Sequence, residues 1–117
     1  MTFDFNGKRA IVCGGSRGIG RAIALGFARA GARVSICARG ADALAIARAE
    51  LSAFGAEAHA ATCDLGVEAR VKAYVAEAAE ALGGIDVLIN NASGFGATDD
   101  EAGWAASLNV EIGRAHV

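Results

Sequence analysis

The sequence predicts an α/β fold: an incomplete, doubly wound parallel sheet of about four strands with five helical segments. Three observations predict it. Short apolar runs alternate along the chain with longer stretches of helical period. The runs are apolar throughout, as in Ala10-Ile11-Val12 and Val87-Leu88-Ile89, the pattern of strands covered on both faces. A cluster of glycines stands at the first strand-to-helix junction. The 117 residues are the length of one domain, so residues 1–117 are read as a single unit.

Taken in order, Arg9–Cys13 is the first strand and ends in Gly14-Gly15. Ile19, Ile23 and Phe27 recur at four-residue spacing on one helical face, and Gly31 stops the helix. Arg33–Ala38 is the second strand. The Ala-rich stretch from Asp42 to Phe54 is helical, with Leu44, Leu51 and Phe54 on one side. Glu57–Cys63 is a weaker third strand. Val67, Val71, Tyr74, Val75, Ala78 and Leu82 form the stripe of an amphipathic helix closed by Gly83-Gly84. Asp86–Asn90 is the fourth strand, and a Gly-rich loop runs from Ala92 to Ala97. Thr98-Asp99-Asp100-Glu101 reads as a capping box, with Trp104, Leu108 and Ile112 on one face of a last helical segment.

Composition excludes several classes. The net charge is −2, and the basic residues form no stripe of the kind nucleic acid needs. The N-terminus has no basic start followed by an apolar run, and no stretch approaches the roughly 18 apolar residues of a membrane span. The expectation is a cytoplasmic protein with neither nucleic acid nor membrane as partner. The three cysteines, Cys13, Cys37 and Cys63, form no C-x-x-C pair and are read as small buried thiols, with no metal.

The chemistry concentrates at Gly14-Gly15-Ser16-Arg17-Gly18-Ile19-Gly20. A helix start leaves backbone N–H groups unpaired at the positive end of the helix dipole, and glycines let a phosphate approach them. The spacing is G-x-x-x-G-x-G, and Arg21-Ala22 follows Gly20 where a phosphotransferase loop would continue with Lys-Ser/Thr.

From Cys13 to Gly20 the sequence resembles the Thr-Gly-x-x-x-Gly-x-Gly signature of the short-chain dehydrogenase/reductase family, with Cys13 in the place of Thr. The resemblance extends over the chain. Asp64 is similar to the family's adenine-contacting Asp, and it reads equally well as the N-cap of the helix at Val67. Asn90-Asn91-Ala92-Ser93-Gly94 resembles the Asn-Asn-Ala-Gly motif, with Ser93 where Gly is commoner. Asn109, in Ser107-Leu108-Asn109-Val110, resembles the helix Asn of the catalytic tetrad. The resemblance implies a Rossmann-like sheet and cofactor contacts by Gly14, Ser16, Arg17, Gly18, Ile19, Gly20, Arg39, Asp64, Leu65, Asn91 and Ala92. It also implies a small carbonyl or alcohol substrate and, for a full-length protein, a homo-oligomer.

Readers of NAD place an Asp or Glu at the end of the second strand for the ribose 2′-OH. Ile36-Cys37-Ala38-Arg39 has no acid there, and the Arg39 guanidinium suits a 2′-phosphate. Arg17 resembles the basic loop residue of NADP-dependent relatives. The expectation is NADP, with NAD the lesser alternative.

The family's Ser and Tyr-x-x-x-Lys have no counterpart. The single tyrosine, Tyr74, is followed four residues later by Ala78, and the lysines are Lys8 and Lys72. The fourth strand, last in the pattern, would be left with an open edge. The expectation is therefore a truncated dinucleotide-binding domain that binds cofactor and does not catalyse alone. The alternative is a non-catalytic nucleotide-binding or interaction module. Downstream coding for Ser and Tyr-x-x-x-Lys separates the two.

Overall fold

The computed structural model describes residues 5–55, 58–91 and 108–112. Four strands run parallel: β1 (Arg9–Cys13), β2 (Arg33–Ala38), β3 (His59–Thr62) and β4 (Val87–Asn91). Between them lie α1 (Gly18–Arg29), α2 (Ala41–Ser52) and α3 (Glu68–Leu82). A further strand, β5 (Leu108–Ile112), lies antiparallel on β4, and the sheet order is β3-β2-β1-β4-β5.

The inner strands β1 and β2 are buried on both faces, as their apolar runs require, while the edge strand β3 is only half-buried. Ala10, Val12, Val34 and Ile36 pack with Ala24, Ala28, Leu44, Ala47 and Leu51 of α1 and α2. The alternate residues Ile11, Cys13 and Cys37 turn to the opposite face and pack with Tyr74, Ala78 and Leu82 of α3. Helices on both faces make the sheet doubly wound. No helix among the described residues is long and apolar enough to cross a membrane.

The inner face of α1 is Gly20, Ala24 and Ala28, while Ile19 is exposed and Ile23 and Phe27 are half-buried. Small residues at four-residue spacing let the helix axis approach the sheet, so the large apolar side chains sit one position round from the contact face. Phe54 falls beyond α2 and is exposed. The Arg29 guanidinium lies 5.7 Å from its ring centroid.

Several hydrogen bonds position the rest. The Arg9 guanidinium donates to Asp86 (Nε to Oδ2, 2.9 Å), the Arg9 backbone N–H donates to the same carboxylate oxygen, and the Asp86 backbone N–H donates to Arg9 O. This clamps β1 to β4 at the end where the strands begin. Arg9 Nη1 and Arg33 Nη1 donate to the carbonyls of Gly83 and Leu82 at the end of α3 (2.7 and 3.0 Å), complementing its negative pole. Gly83 closes that helix with φ +86°, as Gly83-Gly84 predicted. Inside the α3 face, Ser35, fully buried, bonds Tyr74 and His59, and His59 Nε2 meets Glu77 Oε2 at 3.0 Å.

The last helical segment is corrected. Leu108–Ile112 is a strand, and three helices stand among the described residues where five segments were expected. Asn109, expected on a helix, is therefore a strand residue. Two causes act together. The edge of β4 carries backbone donors and acceptors that a partner strand satisfies. Leu108-Asn109-Val110-Glu111-Ile112 also alternates apolar and polar with period two, a strand signal that competes with the four-residue spacing of Trp104, Leu108 and Ile112. The open edge expected for β4 is thereby closed. The Thr98–Glu101 capping box, Ala92 and Trp104 lie outside the described residues.

Candidate functional site

Parallel pairing brings the C-terminal ends of β1 to β4 to one edge of the sheet. β1 lies between β2 and β4, so chain order reverses about it. In open α/β sheets a crevice for ligands forms at such a switch point. Gly14 to Arg17 cross that edge.

The turn is held to β2. Gly14 N–H and Gly15 N–H both donate to Cys37 O, at 2.9 and 3.1 Å. Gly14 has φ +84° and Gly18 φ +55°, backbone that glycine adopts without strain. A Cβ on Gly15 would stand 2.5 Å from Ile36 Cγ2, so the turn packs directly on the strand. This requirement was not legible in the spacing, because it depends on Ile36, which lies in the next strand. A Cβ on Gly18 would meet nothing within 4 Å: that side of the turn is open.

Arg17 is the N-cap of α1, with extended backbone, no side-chain cap and no acid in the first turn. The first helical bond runs from Arg21 N–H to Arg17 O. The N–H groups of Gly18, Ile19 and Gly20 precede it and have no intrahelical acceptor. Ser16 is half-buried, while Arg17 and Ile19 are exposed. An anion at this point meets amide donors and the positive pole of the helix. The donor set fits the diphosphate of a dinucleotide. Arg21 turns away to Glu50 of α2 (Nε to Oε1, 2.9 Å) and holds that carboxylate below its ordinary range.

Arg39 follows β2 directly and Asp64 follows β3. Cys63 N–H donates to Ala38 O at 2.9 Å, which sets the two side by side. Arg39 Nη2 lies 3.4 Å from Asp64 Oδ1, both exposed. Asp64 Oδ1 also accepts from Gly66 N–H at 3.0 Å, closing an Asx turn. The N-cap reading of Asp64 is thereby corrected. Val67 is the N-cap of α3, without a side-chain bond, because the Asp64 carboxylate is engaged two residues on. Leu65 is half-buried against the α3 face. Asn91 ends β4, and Asn109 is the register partner of Asn90.

Other titratable groups do not enter the site. Tyr74 is buried, and burial raises its phenol far above the ordinary value, which removes it as an acid or base near neutrality. Burial pushes the Cys63 thiol up to about 11. Cys37 rises further through its contact with Cys13 and its burial. Among the described residues no His, Cys, Asp and Glu group could hold a metal ion.

Comparison with known proteins points to one family. The model of the short chain dehydrogenases matches residues 8–113. The rhamnolipids biosynthesis 3-oxoacyl-[acyl-carrier-protein] reductase of Pseudomonas aeruginosa is 40% identical over 94% of the chain, which spans 44% of that relative. A short chain dehydrogenase from Burkholderia cenocepacia, solved in complex with NADP, is 44% identical with TM-score 0.73, over 75% of this chain and 36% of the other. An NAD+-bound xylitol dehydrogenase is 36% identical with TM-score 0.72, over 75% of this chain and 34% of the other.

Proposed function

Because the chain belongs to the short-chain dehydrogenase family of oxidoreductases, we propose that it is the cofactor-binding part of an enzyme that uses NADP to reduce a carbonyl or oxidise an alcohol. The observation that carries this reading is the start of α1, where unpaired amides of Gly18, Ile19 and Gly20 face a turn without acids. Bound there, the cofactor gives or takes a hydride at its nicotinamide ring.

The residues of this chain bind and orient. Gly14, Ser16, Gly18, Ile19 and Gly20 hold the diphosphate, with Arg17 beside them. Asp64 and Leu65 meet the adenosine end; Asn91, the last residue of β4, and Ala92, which lies outside the described residues, are assigned to the cofactor on the family resemblance alone. Arg39 receives the 2′-phosphate, because it occupies the place where an acid would read a 2′-OH. The NADP complex of the Burkholderia relative supports that choice, while the xylitol dehydrogenase keeps NAD as the competitor to test.

Asn109 is the one tetrad residue assigned to this chain. Proton transfer needs a group with a pKa brought near neutrality, and the buried Tyr74 is shifted the opposite way. A polypeptide of these residues therefore binds cofactor without turning it over. Titration of NADPH and NADH against the protein and its Arg39→Asp variant tests the assignment. Loss of NADPH affinity by about tenfold or more, with NADH little changed, is expected for a lost charge-assisted phosphate contact. Equal losses for both cofactors count against it.

A further inference from the structure

Arg39 already has an anion beside it. Its Nη2 lies 3.4 Å from Asp64 Oδ1, and the backbone makes the meeting: the Cys63 N–H bond to Ala38 O brings the residues that follow each strand together. Asp64 is held in place independently of Arg39, because the same oxygen accepts from Gly66 N–H.

We propose that Asp64 tunes cofactor choice by competing with the 2′-phosphate for Arg39; this rests on the reading of Arg39 as the phosphate-binding residue. An exposed carboxylate touching one nitrogen at this distance is a weak partner. A phosphate dianion offers two charges and several oxygens to the guanidinium fork and displaces it. Binding of NADP thus exchanges one anion for another, with the carboxylate left close to the phosphate. Binding of NAD, whose ribose carries a hydroxyl there, leaves the ion pair intact. Asp64 therefore lowers the preference for NADP over NAD. Any contact of Asp64 with the adenine is common to both cofactors and cancels in the ratio of their affinities.

Fluorescence titration of NADPH and NADH against the protein, Asp64→Asn, Arg39→Ala and the double variant tests this. Asparagine retains an oxygen for Gly66 and loses the charge. Asp64→Asn is expected to raise the NADPH-to-NADH affinity ratio by about two- to fivefold, the range an exposed ion pair carries. The gain disappears when Arg39 is alanine. A ratio that stays level or falls in Asp64→Asn overturns the proposal. So does an equal gain in both backgrounds, which means plain repulsion without exchange at Arg39. If Arg39→Ala itself leaves the ratio unchanged, the NADP reading fails first and separately. The far-UV circular dichroism and thermal midpoint of each variant report that the fold survives.

Discussion

Ser35 Oγ and Tyr74 Oη stand 2.5 Å apart beneath α3, and Ser35 Oγ is also 2.8 Å from His59 Nδ1. The two deletions of this contact are not equivalent. Tyr74→Phe leaves Ser35 bonded to His59 and costs about 1 kcal/mol. Ser35→Ala orphans the buried Tyr74 hydroxyl and costs about 1–3 kcal/mol. Adding Tyr74→Phe to Ser35→Ala removes the orphan, so the double variant is more stable than the two losses added. Urea unfolding of the three variants checks the order, and strict additivity would sink the account.

The glycine turn separates two kinds of requirement. Gly15→Ala drives a methyl against Ile36, which is fully buried and cannot yield, and costs about 1–3 kcal/mol as overpacking. Gly18→Ala meets open space at φ +55°, so its cost is conformational, about 1 kcal/mol. Thermal unfolding ranks Gly15→Ala below Gly18→Ala, and titration shows that both weaken cofactor binding. A Gly15→Ala protein of unchanged stability would contradict the close packing of turn on strand.

Alkaline pH destabilises the fold. Cys63 and Tyr74 keep their protons more tightly folded than unfolded, chiefly because they are buried. Their contribution is complete below the unfolded values, about 8.5 for a thiol and 10 for a phenol, and is lost as pH rises toward the folded ones. Urea midpoints are expected to fall from about pH 9 upward, and less steeply between about 9 and 11 in Cys63→Ala. A midpoint that rises over this range has the wrong sign.

Asp86 gives the mirror image in acid. Its hydrogen bond from the Arg9 guanidinium lowers the carboxyl below its ordinary value. The stability it contributes is present above the unfolded value, about 3.9, and is lost as pH falls through the lower folded one. Asp86→Asn flattens the acid limb of a stability profile, and an unchanged limb would show that the clamp does not titrate.

The inner parallel strands were legible because burial on both faces leaves a one-dimensional trace, the apolar run; the half-buried edge strand β3 leaves a weaker one. The glycine turn was legible because its conformational demand is local. What failed needed three dimensions. The innermost stripe of α1 is small rather than greasy, so Ile23 and Phe27 marked the flank of its contact side and Ile19 fell outside it. Gly15 depends on Ile36, and Asp64 was diverted from capping by Gly66. For Leu108–Ile112 two periods overlapped, and the vacancy beside β4 decided between them.

The clamp between Arg9 and Asp86 joins positions 77 residues apart, whereas β1 meets β2 after a single helix. Closing so long a loop costs more chain entropy than closing a short one, which predicts that this contact forms after the nearer ones. The walls of the crevice are therefore expected to arise at different times. On that expectation the β2 wall, with its glycine turn, is built early and locally, and the β4 wall shuts later, like a door hung on a finished frame. Refolding probes on Ser35 and on Asp86 should accordingly keep different clocks.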